Sequence, residues 1–145
     1  MKHPSRYQWV HETTDVDWTE LAHLYEIAPL GRKSETLLQT AFSNSAHVCF
    51  IYEQGNLIGA GRALADGADC FYLCDIAVHP DFQRQGLGSA IIRKLLDHAE
   101  GYQKILLFAS AGKEGLYEKF GFSRMKTAMA IFGNQSRARE LGVIE

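Results

Sequence analysis

Residues 75–93, DIAVHPDFQRQGLGSAIIR, constrain the fold more than any other part of this chain. An apolar strand-like run ends at His79-Pro80, where proline has no N–H to give to a sheet and holds the preceding residue extended. A polar turn with two glycines follows. From Leu87 the apolar residues Leu87, Ile91, Ile92, Leu95 and Leu96 recur at helical spacing, with Arg93, Lys94 and Asp97 outward. A strand that passes through such a turn into a helix leaves the first helical N–H groups unpaired, and such groups bind phosphate.

The other segments surround this junction. Residues 6–12 alternate weakly around Tyr7, Trp9 and His11, as an edge strand does. Asp17 or Thr19 caps a helix carrying Leu21, Leu24, Tyr25 and Ala28, stopped by Pro29 and Gly31, and a second helix is predicted over 34–42. Residues 47–52 and 57–64 read as two strands joined by the turn Glu53-Gln54-Gly55-Asn56, and 71–78 as a third. A buried strand over 104–109 precedes a short helix over 113–120, closed by Gly121 where a left-handed cap is wanted. Residues 122–132 are expected to form terminal strands, and 133–145 carry no clear pattern. Helices, an antiparallel meander and then strand–helix–strand–helix–strand make an α+β order rather than a doubly wound sheet.

Composition narrows the function. At 145 residues, 46% of them apolar, the chain is expected to form a single domain over 1–145 with one core. A net charge of −2 without a Lys/Arg run argues against a partner held mainly through nucleic-acid phosphates. No segment resembles a signal peptide or approaches the length of a membrane span, so a soluble cytoplasmic protein is the expectation. Cys49, Cys70 and Cys74 read as reduced thiols. No second Cys/His pair at finger-like spacing follows Cys70 and Cys74, so no metal is expected.

Three phosphate-binding patterns compete for the glycine turn. A P-loop needs Lys and Ser/Thr directly after its last glycine, but Ser89-Ala90 follow Gly88. A dinucleotide fold needs a third Gly or Ala where Ile91 stands, and places its motif after the first strand. The third pattern, Gln/Arg-x-x-Gly-x-Gly/Ala, is matched at every defined position by Gln83-Arg84-Gln85-Gly86-Leu87-Gly88. With Ile76-Ala77-Val78-His79-Pro80 before it and Leu116-Tyr117-Glu118-Lys119-Phe120-Gly121-Phe122 one helix and one strand after it, the chain resembles the Gcn5-related N-acetyltransferase (GNAT) superfamily.

The resemblance implies a mixed, mostly antiparallel sheet of six to seven strands flanked by about four helices and splayed where acetyl-CoA enters. It implies direct acetyl transfer from acetyl-CoA to a primary amine of a small molecule or peptide. The alternative is a non-catalytic CoA-binding sensor or scaffold. Ile76, Ala77 and Val78 would line the pantetheine arm, and Gln83, Arg84, Gln85, Gly86, Leu87, Gly88 and Ser89 would cradle the pyrophosphate, with Ser110 either contacting the cofactor or capping the next helix. The Val78 N–H would stabilise the developing oxyanion, a role worth about 3 kcal/mol for a preorganised donor. Tyr117 would protonate the departing thiolate.

Family members often carry a base where Cys74 and Tyr72 stand here. Asp75 is the nearest carboxylate, facing the opposite side of a regular strand and able to act if the strand bulges. Its other reading is a carboxylate satisfied by backbone or an arginine. On the acceptor side the resemblance points to the first two helices with their connection and to the final strands, and Tyr25, Arg32, Tyr72 and Cys74 are the candidates. Of the adjacent cations Arg32 and Lys33, Arg32 suits a substrate carboxylate or is an exposed helix-flanking charge, whereas the acidic cluster Glu12, Asp15, Asp17, Glu20 and Glu26 suits a cationic amine. It also implies a homodimer as an assembly open to exposed terminal strands.

Overall fold

The structure, a computed structural model, describes residues 6–145. It divides into two compact units, Met1–Leu107 and Phe108–Glu145.

The first unit holds a five-stranded sheet in the order β1-β2-β3-β4-β5, formed by Gln8–Val10, His47–Glu53, Asn56–Ala65, Cys70–Val78 and Lys104–Leu106. Three junctions are antiparallel, and β4 with β5 is the parallel one. The β2–β3 hairpin turns at Gln54 and Gly55, both at positive φ (49° and 80°), the geometry that matches the twist of the two strands.

Helices α1 (Trp18–Ile27) and α2 (Glu35–Ser43) cover one face. Of the two expected caps of α1, Asp17 is the one used: its carboxylate accepts from the N–H groups of Thr19 and Glu20, and Ser34 does the same for α2 through Leu37. Leu21, Leu24, Tyr25, Leu38 and Phe42 pack there on Val48, Phe50, Leu57, Ala60 and Ala77.

The other face receives α3 (Leu87–Leu96). Its close approach depends on Gly61, where an added Cβ would lie 2.8 Å from both Ile76 Cδ1 and Ile91 Cγ2. At the end of this face the His47 and His98 rings stack with centroids 3.9 Å apart.

The second unit carries α4 (Glu114–Glu118) and α5 (Gln135–Glu140), the latter capped by Asn134. Two expectations are corrected here. The sheet has five strands among the described residues, not six to seven, and five α-helices accompany it rather than four.

The shortfall lies at 122–132, which forms no strand. Its Lys and Ala residues have weak strand preference, and Met129 and Ile131 are almost fully exposed, so no buried face rewards pairing. The strand over 104–109 likewise shortens to three residues. Among the described residues no helix is long and apolar enough to cross a membrane, and no group of three or more His, Cys, Asp or Glu side chains is placed to hold a metal.

Candidate acyl-transfer site

The site begins with a change of phase in β4. Residues 71–74 pair with β3 in one register (Cys74 opposite Arg62), whereas Ala77 and Val78 pair in a register shifted by one (opposite Ala60 and Gly59). Asp75 and Ile76 therefore share a single partner position, Gly61, which defines a β-bulge. Asp75 has φ 58°, in the left-handed region that Asp tolerates better than most side chains. The bulge also overrides the alternation expected of a regular strand: the Asp75 carboxylate lies on the α1/α2 face, bonded to the Arg62 guanidinium at 2.8 Å, with Lys33 Nζ at 4.0 Å. The Asp75 carbonyl accepts from the Tyr25 hydroxyl at 2.7 Å.

Downstream of the bulge the backbone polarity follows from one hydrogen bond. The His79 N–H donates to the Ile58 carbonyl at 2.7 Å, so in an antiparallel pair His79 and Ala77 turn their polar groups to β3, whereas Val78 and Ile76 turn theirs away. On that far side β5 pairs only with Cys70, Phe71 and Tyr72. From 73 to 78 that edge has no strand partner among the described residues. The Val78 carbonyl on this edge is held by the Gln83 side-chain amide at 3.1 Å.

The glycine turn then leads into α3. After a short 3₁₀ turn (Pro80–Phe82), Arg84 and Gly86 both take positive φ (64° and 81°), and Gly86 stands at the N-cap, where it makes no side-chain cap bond. The N–H groups of Leu87, Gly88 and Ser89 meet no hydrogen-bond partner among the described residues. An added Cβ would find open space at Gly86 and only Val78 Cγ2, at 3.8 Å, at Gly88. Bare backbone and free donors at a helix start make an anion cradle. Gln85 is fixed by the Tyr7 hydroxyl at 2.7 Å, and Arg84 is exposed beside it.

The remaining sequence candidates occupy distinct settings. Tyr25 is fully buried, and burial pushes its phenol well above the usual range. Tyr72 and Cys74 are half-buried on β4, and burial raises both, the thiol to about 11, so Cys74 stays protonated at neutral pH. Arg32 is exposed, 3.4 Å from Glu26. Beside it Thr19, His23, Lys33 and Glu35 edge an open groove of about 540 Å³ between α1 and α2.

In the second unit Tyr117 lies on α4 with its ring edge-on to Phe122, centroids 6.1 Å apart, and burial raises its phenol. Gly121 takes φ 94° and closes the turn, as its position predicts. Ser110 does not cap α4: the cap position is Lys113, whose N–H bonds the Ser110 carbonyl. The sequence reading missed Arg62 and took Lys33 only as one of two adjacent cations between α1 and α2. Neither lies in a recognisable motif, and only the tertiary structure brings them to Asp75.

Residues 7–122 match the model of the acetyltransferase (GNAT) family. The chain belongs to the GNAT family of acetyltransferases. A histone acetyltransferase, TAP1, from Glycine max is 32% identical over an alignment of 121 positions that covers 74% of this chain and 52% of that protein; the chain thus spans about half the length of this relative. Among solved structures, a Staphylococcus aureus protein described as a probable acetyltransferase superposes with a TM-score of 0.77 at 23% identity, covering 88% of this chain and 99% of its own. A GNAT acetyltransferase from Elizabethkingia anophelis, solved with acetyl-CoA bound, superposes with a TM-score of 0.63 at 20% identity, covering 85% and 80%. In this GNAT chain the glycine turn lies at the N-terminus of α3 and the open strand edge on β4.

Proposed function

We propose that this GNAT protein takes acetyl-CoA as donor and transfers the acetyl group directly to a primary amine of a small molecule or peptide. The observation that carries the reading is the released edge of β4, where the Ile76 and Val78 N–H groups face away from β3 and meet no strand. An extended chain of amides, such as the pantetheine arm, can add to that edge as a strand does.

Leu87, Gly88 and Ser89 would present their N–H groups to the pyrophosphate, with Arg84 adding a charged donor. In the transfer itself the amine lone pair forms a bond to the thioester carbonyl carbon while the C–S bond breaks. The Val78 N–H donates to the carbonyl oxygen as negative charge builds there. Tyr117 gives its proton to the leaving sulfur, and its raised pKa keeps the phenol protonated at neutral pH. The amine gives up its proton to solvent, since the Asp75 carboxylate is bonded to Arg62 and Cys74 remains a thiol.

The test is release of CoA thiol from acetyl-CoA across a library of primary amines. Thiol released only when an amine is supplied supports the reading, and acetyl-CoA binding without release under any amine overturns the enzymatic part in favour of a CoA-binding module. With an accepted amine in hand, Tyr117→Phe should lower kcat about a hundredfold or more and leave the KM for acetyl-CoA within a factor of three. Equal turnover would remove Tyr117 from the mechanism.

A further inference from the structure

Arg62 lies outside every motif of this chain, yet its guanidinium is the point where three elements meet. Its Nε donates to Asp75 Oδ2 at 2.8 Å, its Nη1 lies 3.4 Å from Ser45 Oγ just after α2, and its charge sits 5.8 Å above the Phe42 ring. Arg62 is 16% exposed and Asp75 18%, so neither charge is free to leave for solvent. The residue they hold is the left-handed one at the β4 bulge, whose carbonyl accepts from the Tyr25 hydroxyl.

The bulge decides which N–H groups of β4 are free. Upstream of it Tyr72 and Cys74 stand opposite Leu64 and Arg62, the phase of β3 that also faces Ala77 through Ala60. Continued without the extra residue, that phase would turn Ile76 and Val78 into β3 and leave Ala77 and His79 on the open edge.

We propose that Arg62 is a positioning residue for the acetyl donor: by pairing with Asp75 it holds the bulge that releases the Ile76 and Val78 N–H groups. The inference rests on the reading of β4 as the donor's edge. Its distinguishing consequence involves glycine. Without Arg62, the half-buried Asp75 carboxylate keeps, among the described residues, only Lys33 as a cation within 4.0 Å and turns toward water, taking residue 75 out of its left-handed conformation. Glycine at 75 has no charge to solvate and accepts positive φ freely.

The experiment measures acetyl-CoA affinity by titration calorimetry, with circular dichroism and thermal melting as controls of the fold. Arg62→Met should weaken acetyl-CoA binding tenfold or more. Adding Asp75→Gly to it should bring affinity back to within threefold of the parent, although a merely structural arginine would gain nothing from a second destabilising change. If Arg62→Met does not fold, the pair Arg62→Lys and Arg62→Lys/Asp75→Gly serves the same comparison, with the single variant the weaker binder. Unchanged affinity in the single variant, or a double variant no better than the single, overturns the role of Arg62. A parent chain that binds no acetyl-CoA overturns the donor-edge reading itself.

Discussion

Gly88→Ala should make the protein more stable and a poorer binder of acetyl-CoA. Gly88 is the second residue of α3 and has an ordinary φ, so alanine adopts its backbone without strain. The new Cβ would touch only Val78 Cγ2, at 3.8 Å, which is normal contact rather than a clash. Alanine is favoured over glycine by roughly 0.5–1 kcal/mol within a helix, and the first turn realises about half of that. For a chain of 145 residues this raises Tm by about 1–2 °C.

The same methyl group stands beside the free N–H groups that would approach the pyrophosphate. Losing one well-made phosphate contact costs about 1.4 kcal/mol or more, a factor of ten in Kd. Differential scanning calorimetry without ligand gives the first quantity and titration calorimetry with acetyl-CoA the second. A higher Tm with unchanged affinity would refute the view that position 88 is bare for the donor. A lower Tm would refute the contact geometry.

Two further outcomes follow from the first unit. Gly61→Ala should destabilise by about 1–3 kcal/mol in urea unfolding, because its Cβ would meet Ile76 and Ile91 at 2.8 Å; an unchanged midpoint would mean that α3 rides off the sheet freely. His47 is held below its usual pKa, first by burial and then by the neighbouring His98, so the folded state binds its proton less readily than the unfolded one. Its contribution is fully present above about pH 6.5 and is lost as pH falls from there through the lowered folded value. His47→Gln should therefore flatten the fall in urea stability between pH 7.5 and 5.5, and an equally steep fall in the variant would locate the titration elsewhere.

What could be read from the sequence divides along physical lines. Local signals carried far: the Asp17 cap, the Gln54-Gly55 turn, the amphipathic stripe of α3 and the helix-closing Gly121 each depend on neighbours a few residues away, and each lies where the pattern predicts. The order of strands β2, β3 and β4 follows from the hairpin and from the proline that ends β4.

The bulge did not show itself, because no residue between Cys74 and Ile76 announces positive φ. Aspartate is compatible with a left-handed conformation but does not demand it; Arg62, thirteen residues away, and Tyr25, fifty residues away, hold it there. The terminal strands failed for the opposite reason. An extended-looking run over 122–132 can be written by composition, but a strand exists only where a partner pairs with it, and its own unit offers none among the described residues.

The open edge of β4 has a further consequence for solubility. On the rim of a sheet, a row of unpaired amides accepts any passing polypeptide, and proteins suffer aggregation there. Here the row starts where β5 leaves off, at Tyr72, so it lies inside the strand order rather than at its border. A foreign strand would have to enter a notch already closed at one end by its own sheet. A strand added there gains bonds only along 73–78, so the row is too short to seed the long pairing that aggregation needs.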